Sequence, residues 1–359
     1  MSERDNNLMQ RAFAEAAKSD WLFTAPNPLV GALALHSGHV VGYGHHARFG
    51  QEHAEEMALS QAAQADELYV TLEPCSSTGS GKKRSACTDV ILQSNVKRVV
   101  IGALDPDSRH AGRGIELLRS SGIEVDVLEC GQQFSNQNPA FIQHLQRQVP
   151  FTIVKWASTV DGFTASSSRK SQWISNPLSR AEVHSLRGAS QAIVSAAGTV
   201  VADNPHLTAR GVKQNILQTK VLIGCASKVQ EDAVLFADDM QRLWFDAVDA
   251  KHKWADAELD KFHCCNSEQQ VDLAEVFSIL RTKYKINRAF VEGGSRLFQS
   301  LLKHDLVHAV VKYEAPLLLA GGMPIIAGDG FDSPQQSLKL SHELRCDHGS
   351  DLRRAWLVN

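Results

Sequence analysis

"HAEEMALSQ" at residues 53–61 and "TLEPCSSTGSGKKRSACTDVI" at residues 71–91 place one histidine, a glutamate two residues on, and two cysteines twelve positions apart. The first stretch reads as a helix over 52–63, with strong helix formers and apolar residues at helical spacing. The second begins in a strand, "ELYVTLEP" (67–74), that stops at a proline, and ends in a helix, "CTDVILQSN" (87–95). Zinc takes nitrogen and sulfur ligands at tetrahedral positions. His53, Cys75 and Cys87 supply three and leave a fourth position open, as catalytic sites do. Glu55 starts the same helix as His53 and can face that position without being a ligand.

A lone His-x-Glu is usually a solvated helix face, and a lone Pro-Cys usually packing. Their order here, with a strand between them, favours chemistry. The pair H-x-E and P-C matches the start of the zinc-deaminase signature, in which the glutamate shuttles protons. The second cysteine comes far later than the usual C-x-x-C.

Outward from this core, the N-terminal "MSERDNNLMQRAFAEAAKSD" reads as an amphipathic helix. It has neither the basic start nor the apolar run of a signal peptide. "NPLVGALAL" (27–35) and "HVVGYG" (39–44) read as strands joined by a tight turn. "VKRVVIGAL" (96–104) and "IEVDVLEC" (123–130) are strands flanking the helix "GRGIELLRSSG" (112–122). Strands alternating with helices predict an α/β layer domain with a largely parallel sheet. The polar, glutamine-rich "FSNQNPAFIQHLQRQVPF" (134–151) reads as a bridge between domains. A second α/β series follows, with strands at "FTIVKWAST", "AIVSAAG", "KVLIGC", "RAFVEGG", "AVVKYEAPLLL" and "RAWLVN". The expected domains are 1–147 and 148–359.

At 359 residues the chain suits two domains. A net charge of -3 provides no basic field for nucleic acid, so small molecules are the expected partners. No apolar run reaches membrane-spanning length. Seven cysteines, an odd number without framework spacing, suit free thiols in a reducing cytoplasm.

The combination "APNPLVGALAL", "GYGHHARFGQEHAE", "TLEPCSSTGSG" and "DPDSRHAGRGIELLRSSGIEV" resembles the deaminase half of the bifunctional deaminase–reductases of riboflavin biosynthesis. The resemblance implies a cytidine-deaminase-like three-layer α/β/α domain that uses zinc. It also places Asn27 and His46 in the pyrimidine pocket. The family usually reads Cys-Ser-His-x-Gly-Lys/Arg-Thr-Pro-Pro-Cys, with the histidine and the basic residue near the substrate phosphate. Ser77 and Ser80 stand there instead, and the loop is three residues longer. The inserted "GKKR" offers Lys82, Lys83 or Arg84 as replacement charge; otherwise it is a solvated loop tip.

"FTIVKWASTVDGFTASSSRKSQWISNP" (151–177), "SLRGASQAIVSAAGTVVADNPHLTAR" (185–210), "FVEGGSRLFQSLL" and "YEAPLLLAGG" resemble the reductase half of the same family, a dihydrofolate-reductase-like α/β domain. By that resemblance Ala157, Trp173, Thr199, Asp203, Gly294 and Ser295 contact NADPH. Lys155, Ser171, Arg187, Leu207, Arg210 and Glu292 serve the ribose-phosphate substrate, and Asp161 matches a strongly patterned position. There is no GxGxxG, but Gly293–Gly294 between a strand and a helix offers backbone N–H groups to phosphate.

The implied chemistry is zinc-dependent deamination of a diaminopyrimidinone ribosylamine 5′-phosphate, then NADPH-dependent reduction of its ribosyl group to ribityl. A homo-oligomer is expected. Three other readings compete: a paralogue with an altered deaminase substrate, motivated by Ser77 and Ser80; a nucleic-acid deaminase, opposed by the acidic balance and the whole second half; and a binding or structural module with a dead first half and structural zinc, opposed by the retained Glu55.

Overall fold

The computed structural model describes residues 2–76, 85–212, 216–248 and 259–359. They form two compact units, Met1–Gln146 and Arg147–Asn359.

In the first unit, α1 (Glu3–Ala16) and the short α2 (Trp21–Thr24) lead into β1 (Gly31–His36) and β2 (His39–His45). Then follow α3 (Ala54–Ser60), β3 (Glu67–Val70), α4 (Cys87–Leu92), β4 (Arg98–Ile101), α5 (Arg113–Ser120), β5 (Glu124–Val127), α6 (Gly131–Gln137) and α7 (Pro139–Leu145). Ser2 starts α1 with a capping box: its hydroxyl accepts the Asp5 N–H, and Asp5 reaches back to the Ser2 backbone. The sheet order is β2-β1-β3-β4-β5. β1 pairs antiparallel with both β2 and β3, while β3, β4 and β5 run parallel. The expected parallel character therefore holds for half of the sheet. Helix α3 lies tightly on β2. A Cβ at Gly44 would come within 1.9 Å of the Ala54 carbonyl oxygen, so only glycine lets the helix that carries Glu55 approach so closely.

Most of the segment expected to bridge the domains forms α6 and α7 of the first unit, and the division between the units falls within it, after Gln146. Its composition is polar, but Phe134 packs into the core at 1% exposure. Asn138 is buried and bonds the backbone of Leu29 both ways, accepting from its N–H at 2.6 Å and donating to its carbonyl at 3.2 Å. A few buried groups outweigh an average polarity.

The second unit runs β6 (Phe151–Thr159), β7 (Phe163–Ala165), α8 (Pro177–Gly188), β8 (Ala192–Ala196), α9 (Ala197–Asp203), β9 (Thr219–Ile223), β10 (Gln241–Asp246), β11 (Leu259–His263), α10 (Leu273–Thr282), β12 (Arg288–Val291), α11 (Ser295–Lys303), β13 (Ala309–Ala315), β14 (Met323–Pro324), β15 (Leu340–His348) and β16 (Asp351–Val358). Nine strands form one sheet in the order β11-β10-β9-β8-β12-β6-β13-β16-β15. Pairing is parallel from β11 to β13, and β16 and β15 add antiparallel at the end. Val276, Phe277 and Leu280 of α10 pack with Leu297, Phe298 and Leu301 of α11 in one core cluster. A separate cluster joins Val200 of α9 to Leu222 and Trp244. Strand β12 enters between β8 and β6, so the chain reverses its order across the sheet there. Crevices at the carboxyl ends of such strands are the usual ligand sites of open α/β sheets.

Candidate active sites

In the first unit, His53 is the N-cap of α3, with an extended backbone and no hydrogen bond from its side chain to the helix start. Cys87 opens α4 and Cys75 follows the proline after β3. The ligand atoms of His53, Cys75 and Cys87 lie within 4.8 Å of one another, the cluster of that kind found among the described residues. His53 Nδ1 is 3.1 Å from Cys87 Sγ and 3.8 Å from Cys75 Sγ, and the Cys87 N–H points at Cys75 Sγ from 3.4 Å.

The cluster is hard on its own protons. Contact with Cys75, then burial, then the Glu55 carboxylate push the Cys87 thiol up. Burial likewise pushes Glu55 above the usual carboxylate range, partly offset by His53. Two thiols and a carboxyl in one buried corner resist ionisation unless a cation joins them. A nitrogen and two sulfurs at this spacing suit zinc.

Asn27, His46, His53, Glu55 and Cys75 all line one cavity of about 260 Å³. His46 Nδ1 lies 2.8 Å from the Glu52 carbonyl, which can only accept, so this nitrogen carries the hydrogen. His46 Nε2 then accepts from Asn27 Nδ2 at 3.2 Å. The ring also meets that of His53 edge-on at 5.3 Å. Asn27 and His46 are thus held as a pair beside the His53–Cys75–Cys87 cluster. Ser77, Ser80, Lys82, Lys83 and Arg84 lie outside the described residues.

Several cavity residues were not singled out from the sequence: Glu73, Asp105, Asp107, His110 and Phe141. The available signal was the D-P-D turn at the carboxyl end of a buried parallel strand. Phe141 was obscured by reading its helix as a bridge.

In the second unit, Lys155 of β6, Arg187 of α8 and Glu292 after β12 converge. Arg187 Nε is 2.5 Å and Lys155 Nζ 3.5 Å from the Glu292 carboxylate. Burial alone would raise Glu292, but Arg187 and Lys155 outweigh it and hold it at about 2. Burial lowers Lys155, against the pull of Glu292. The Glu292 backbone is pinned as well, its N–H donating to Val194 O at 2.9 Å and its carbonyl accepting from Ser195 Oγ at 2.6 Å.

Leu207 and Arg210 belong to the segment after α9. Leu207 is buried with a left-handed φ of 52°. Arg187 donates to the Thr208 carbonyl at 3.0 Å, and the Arg210 N–H reaches His184 Nδ1 at 3.2 Å, so this segment is tied to α8. Gly294 caps α11, and a Cβ there would sit 3.8 Å from Thr199 Oγ1, which brings the starts of α9 and α11 together. Ser295 Oγ donates to the Pro324 carbonyl at 2.5 Å. Ala157 is half-buried on β6 opposite Tyr313. Asp161 accepts from Thr159 Oγ1 and from the N–H groups of Leu319 and Ala320, which secures the turn after β6. Trp173 is 67% exposed beneath the Arg180 guanidinium, 4.6 Å from its ring centre. No hydrogen bond among the described residues links Ser171, Trp173 or Asp203 to the Lys155–Glu292–Arg187 centre.

The model of the RibD C-terminal domain matches residues 150–351, and that of the cytidine and deoxycytidylate deaminase zinc-binding region matches residues 2–103. The riboflavin biosynthesis protein RibD of Aquifex aeolicus is 35% identical over 98% of this chain and 97% of its own length. That of Bacillus amyloliquefaciens is 34% identical over 92% and 90%. A solved Thermotoga maritima structure, described as a diaminohydroxyphosphoribosylaminopyrimidine deaminase/5-amino-6-(5-phosphoribosylamino)uracil reductase, superposes with a TM-score of 0.71 at 28% identity, covering 99% of both chains. The two folds accordingly are a cytidine-deaminase-like domain and a RibD reductase domain. A zinc-binding region and a reductase domain, matched end to end with these relatives, make the chain a member of the RibD family, the bifunctional deaminase–reductases of riboflavin biosynthesis.

Proposed function

We propose that the first domain, 1–147, hydrolyses the 2-amino group of 2,5-diamino-6-(5-phosphoribosylamino)pyrimidin-4(3H)-one to a carbonyl and releases ammonia. The second, 148–359, reduces the ribosyl group of the deaminated product to ribityl with NADPH. The observation that carries this reading is the His53–Cys75–Cys87 cluster beside the buried Glu55, on the wall of a cavity that also holds the Asn27–His46 pair.

Zinc held by these three residues supplies Lewis acidity at neutral pH. Glu55 takes the proton from the attacking water and delivers it to the departing amine. Asn27 and His46 orient the pyrimidine. Lys82, Lys83 or Arg84 meets the phosphate in place of the charge missing at Ser77 and Ser80.

In the second domain, NADPH supplies the hydride. Ala157, Trp173, Thr199, Asp203, Gly294 and Ser295 hold the cofactor. Lys155, Ser171, Arg187, Leu207, Arg210 and Glu292 hold the phosphoribosyl chain, with arginine suited to two parallel hydrogen bonds to phosphate. Lys155 and Arg187 against the one carboxylate of Glu292 leave a net positive site for an anionic substrate. No helix among the described residues is long and apolar enough to cross a membrane. A cytoplasmic homo-oligomer goes with this reading.

The test is to incubate zinc-loaded protein with the diaminopyrimidinone phosphate, with and without NADPH, and to follow products by mass spectrometry. Without NADPH the mass rises by the exchange of NH for O, about one unit. With it, two further hydrogens are gained. An unchanged substrate in both arms refutes the reading.

A further inference from the structure

Helix α5 begins at Arg113, and its N-cap is Gly112, which has no side chain with which to satisfy the first free N–H groups. A distant side chain does this instead. The Glu73 carboxylate accepts from the Gly114 N–H at 2.8 Å through one oxygen. Its other oxygen accepts from the Gly112 N–H at 2.9 Å and the Asp105 N–H at 3.3 Å. Glu73 is 5% exposed, and its own N–H donates to the Ala103 carbonyl at 2.9 Å. Gly114 packs against the next residue along from Glu73: a Cβ there would lie 2.2 Å from the Pro74 carbonyl oxygen. The negative charge at a helix N-terminus adds to the effect.

These contacts close a loop at both ends. Residues 105–112 leave the carboxyl end of β4 and return at the start of α5, and Glu73 bonds the first and last of them. Within the loop, Asp105 accepts the Asp107 N–H and Asp107 accepts the Arg109 N–H, so its shape is self-supporting once its ends are fixed. Asp105, Asp107 and His110 line the same cavity as Glu55 and Cys75. Glu73 stands two residues before Cys75. It therefore joins the strand end that presents a metal ligand to the loop that forms a wall of the cavity.

We propose that Glu73 is a positioning residue for deamination: it sets the distance between the loop wall and the metal side of the cavity, and so governs substrate affinity rather than the chemical step. The inference rests on the deaminase reading of this cavity. Glu73→Gln keeps size and shape but replaces one accepting oxygen with an NH₂ group, which cannot accept a backbone N–H. The closed loop then loses at least one anchor.

The expected result is a KM for the diaminopyrimidinone phosphate raised tenfold or more, with kcat within about threefold of the parent protein. One zinc per chain and the reductase activity should be retained. Hydrogen exchange read at the Gly112 and Gly114 amides, without substrate, should quicken at least tenfold in the variant while the β1 and β3 amides stay protected. That measurement stands even if the parent protein fails to turn over the substrate, so it separates failure of this inference from failure of the deaminase reading. Unchanged exchange at both glycines overturns the proposal, as does an unchanged KM in a protein active on the substrate. Joint loss of zinc and reductase activity also overturns it, because Glu73 would then serve folding as a whole.

Discussion

Replacing Glu292 with glutamine removes the one negative charge between Lys155 and Arg187 while keeping the side chain's volume. The size of the effect follows from the carboxylate's depressed pKa. Its ordinary value is near 4.5 and the folded protein holds it at about 2, although burial pulls the other way. At about 1.4 kcal/mol per pKa unit this is roughly 3 kcal/mol of native stabilisation. Leaving a buried pair one-sided costs about 3–5 kcal/mol, which agrees. The side chain is only 12% exposed, so solvent screening removes little of this.

A depressed carboxylate stabilises the fold above its unfolded pKa, and that stability is lost as pH falls through the folded value. The gap between parent and Glu292→Gln should be about 3 kcal/mol at pH 7, about 2 at pH 3.5 and about 1 at pH 2.5. Urea unfolding followed by tryptophan fluorescence reads it, since five of the six tryptophans belong to the second unit. Acid-sensitive groups remote from Glu292 act equally on both proteins and cancel in the difference; His184, whose imidazole feels the Glu292 charge, does not. A gap below 1 kcal/mol at pH 7, or one constant from pH 7 to pH 2.5, refutes the assignment of that stability to this ion pair.

Four further variants have expected outcomes. Cys87→Ala should lower bound zinc from one per chain to near none by metal analysis, because a histidine and one thiolate make a poor site. Glu55→Gln should keep its zinc, lose deamination by roughly 10²–10⁴ and still reduce supplied deaminated substrate, whereas Arg210→Ala should deaminate normally and raise the reductase KM by roughly tenfold or more, the cost of one charge-assisted hydrogen bond. Neutralising Lys82, Lys83 and Arg84 together should raise the deaminase KM for the phosphorylated substrate by roughly tenfold or more with reduction unaffected; an unchanged KM would favour a substrate lacking phosphate.

The His53–Cys75–Cys87 cluster was readable as a candidate metal site because its residues come from consecutive elements: one helix start, the end of the strand after it, and the next helix start. In such a unit, spacing in sequence nearly determines spacing in space. Glu73 gave no comparable signal, since its partners are backbone N–H groups beyond the next strand and a backbone donor has no sequence signature. In the second unit, β10 and β11 were missed where the resemblance thinned. Strand β15 was missed because "LSHELRCDH" lies at the sheet's edge, mostly exposed, and lacks the apolar face that marks a strand. Helix α9 was missed, the strand reading "AIVSAAG" running two residues into its start, because a short apolar run does not distinguish a strand end from a helix start.

The two centres pose opposite charge problems, and this accounts for how differently they read. The first gathers groups that become anionic, two thiols and a carboxyl, and needs a cation to hold them together. Residues that share one ion must meet within a few ångströms, so they occur as a compact motif. The second already holds two cations against one carboxylate, and under the proposed function its surplus charge meets an anionic ligand. Its candidate residues come from several strands, helices and the turns between them, from Lys155 to Ser295. No short spacing rule can gather them. Under the proposed function the reacting hydride comes with the cofactor, and the chain's part is to hold two large molecules in register.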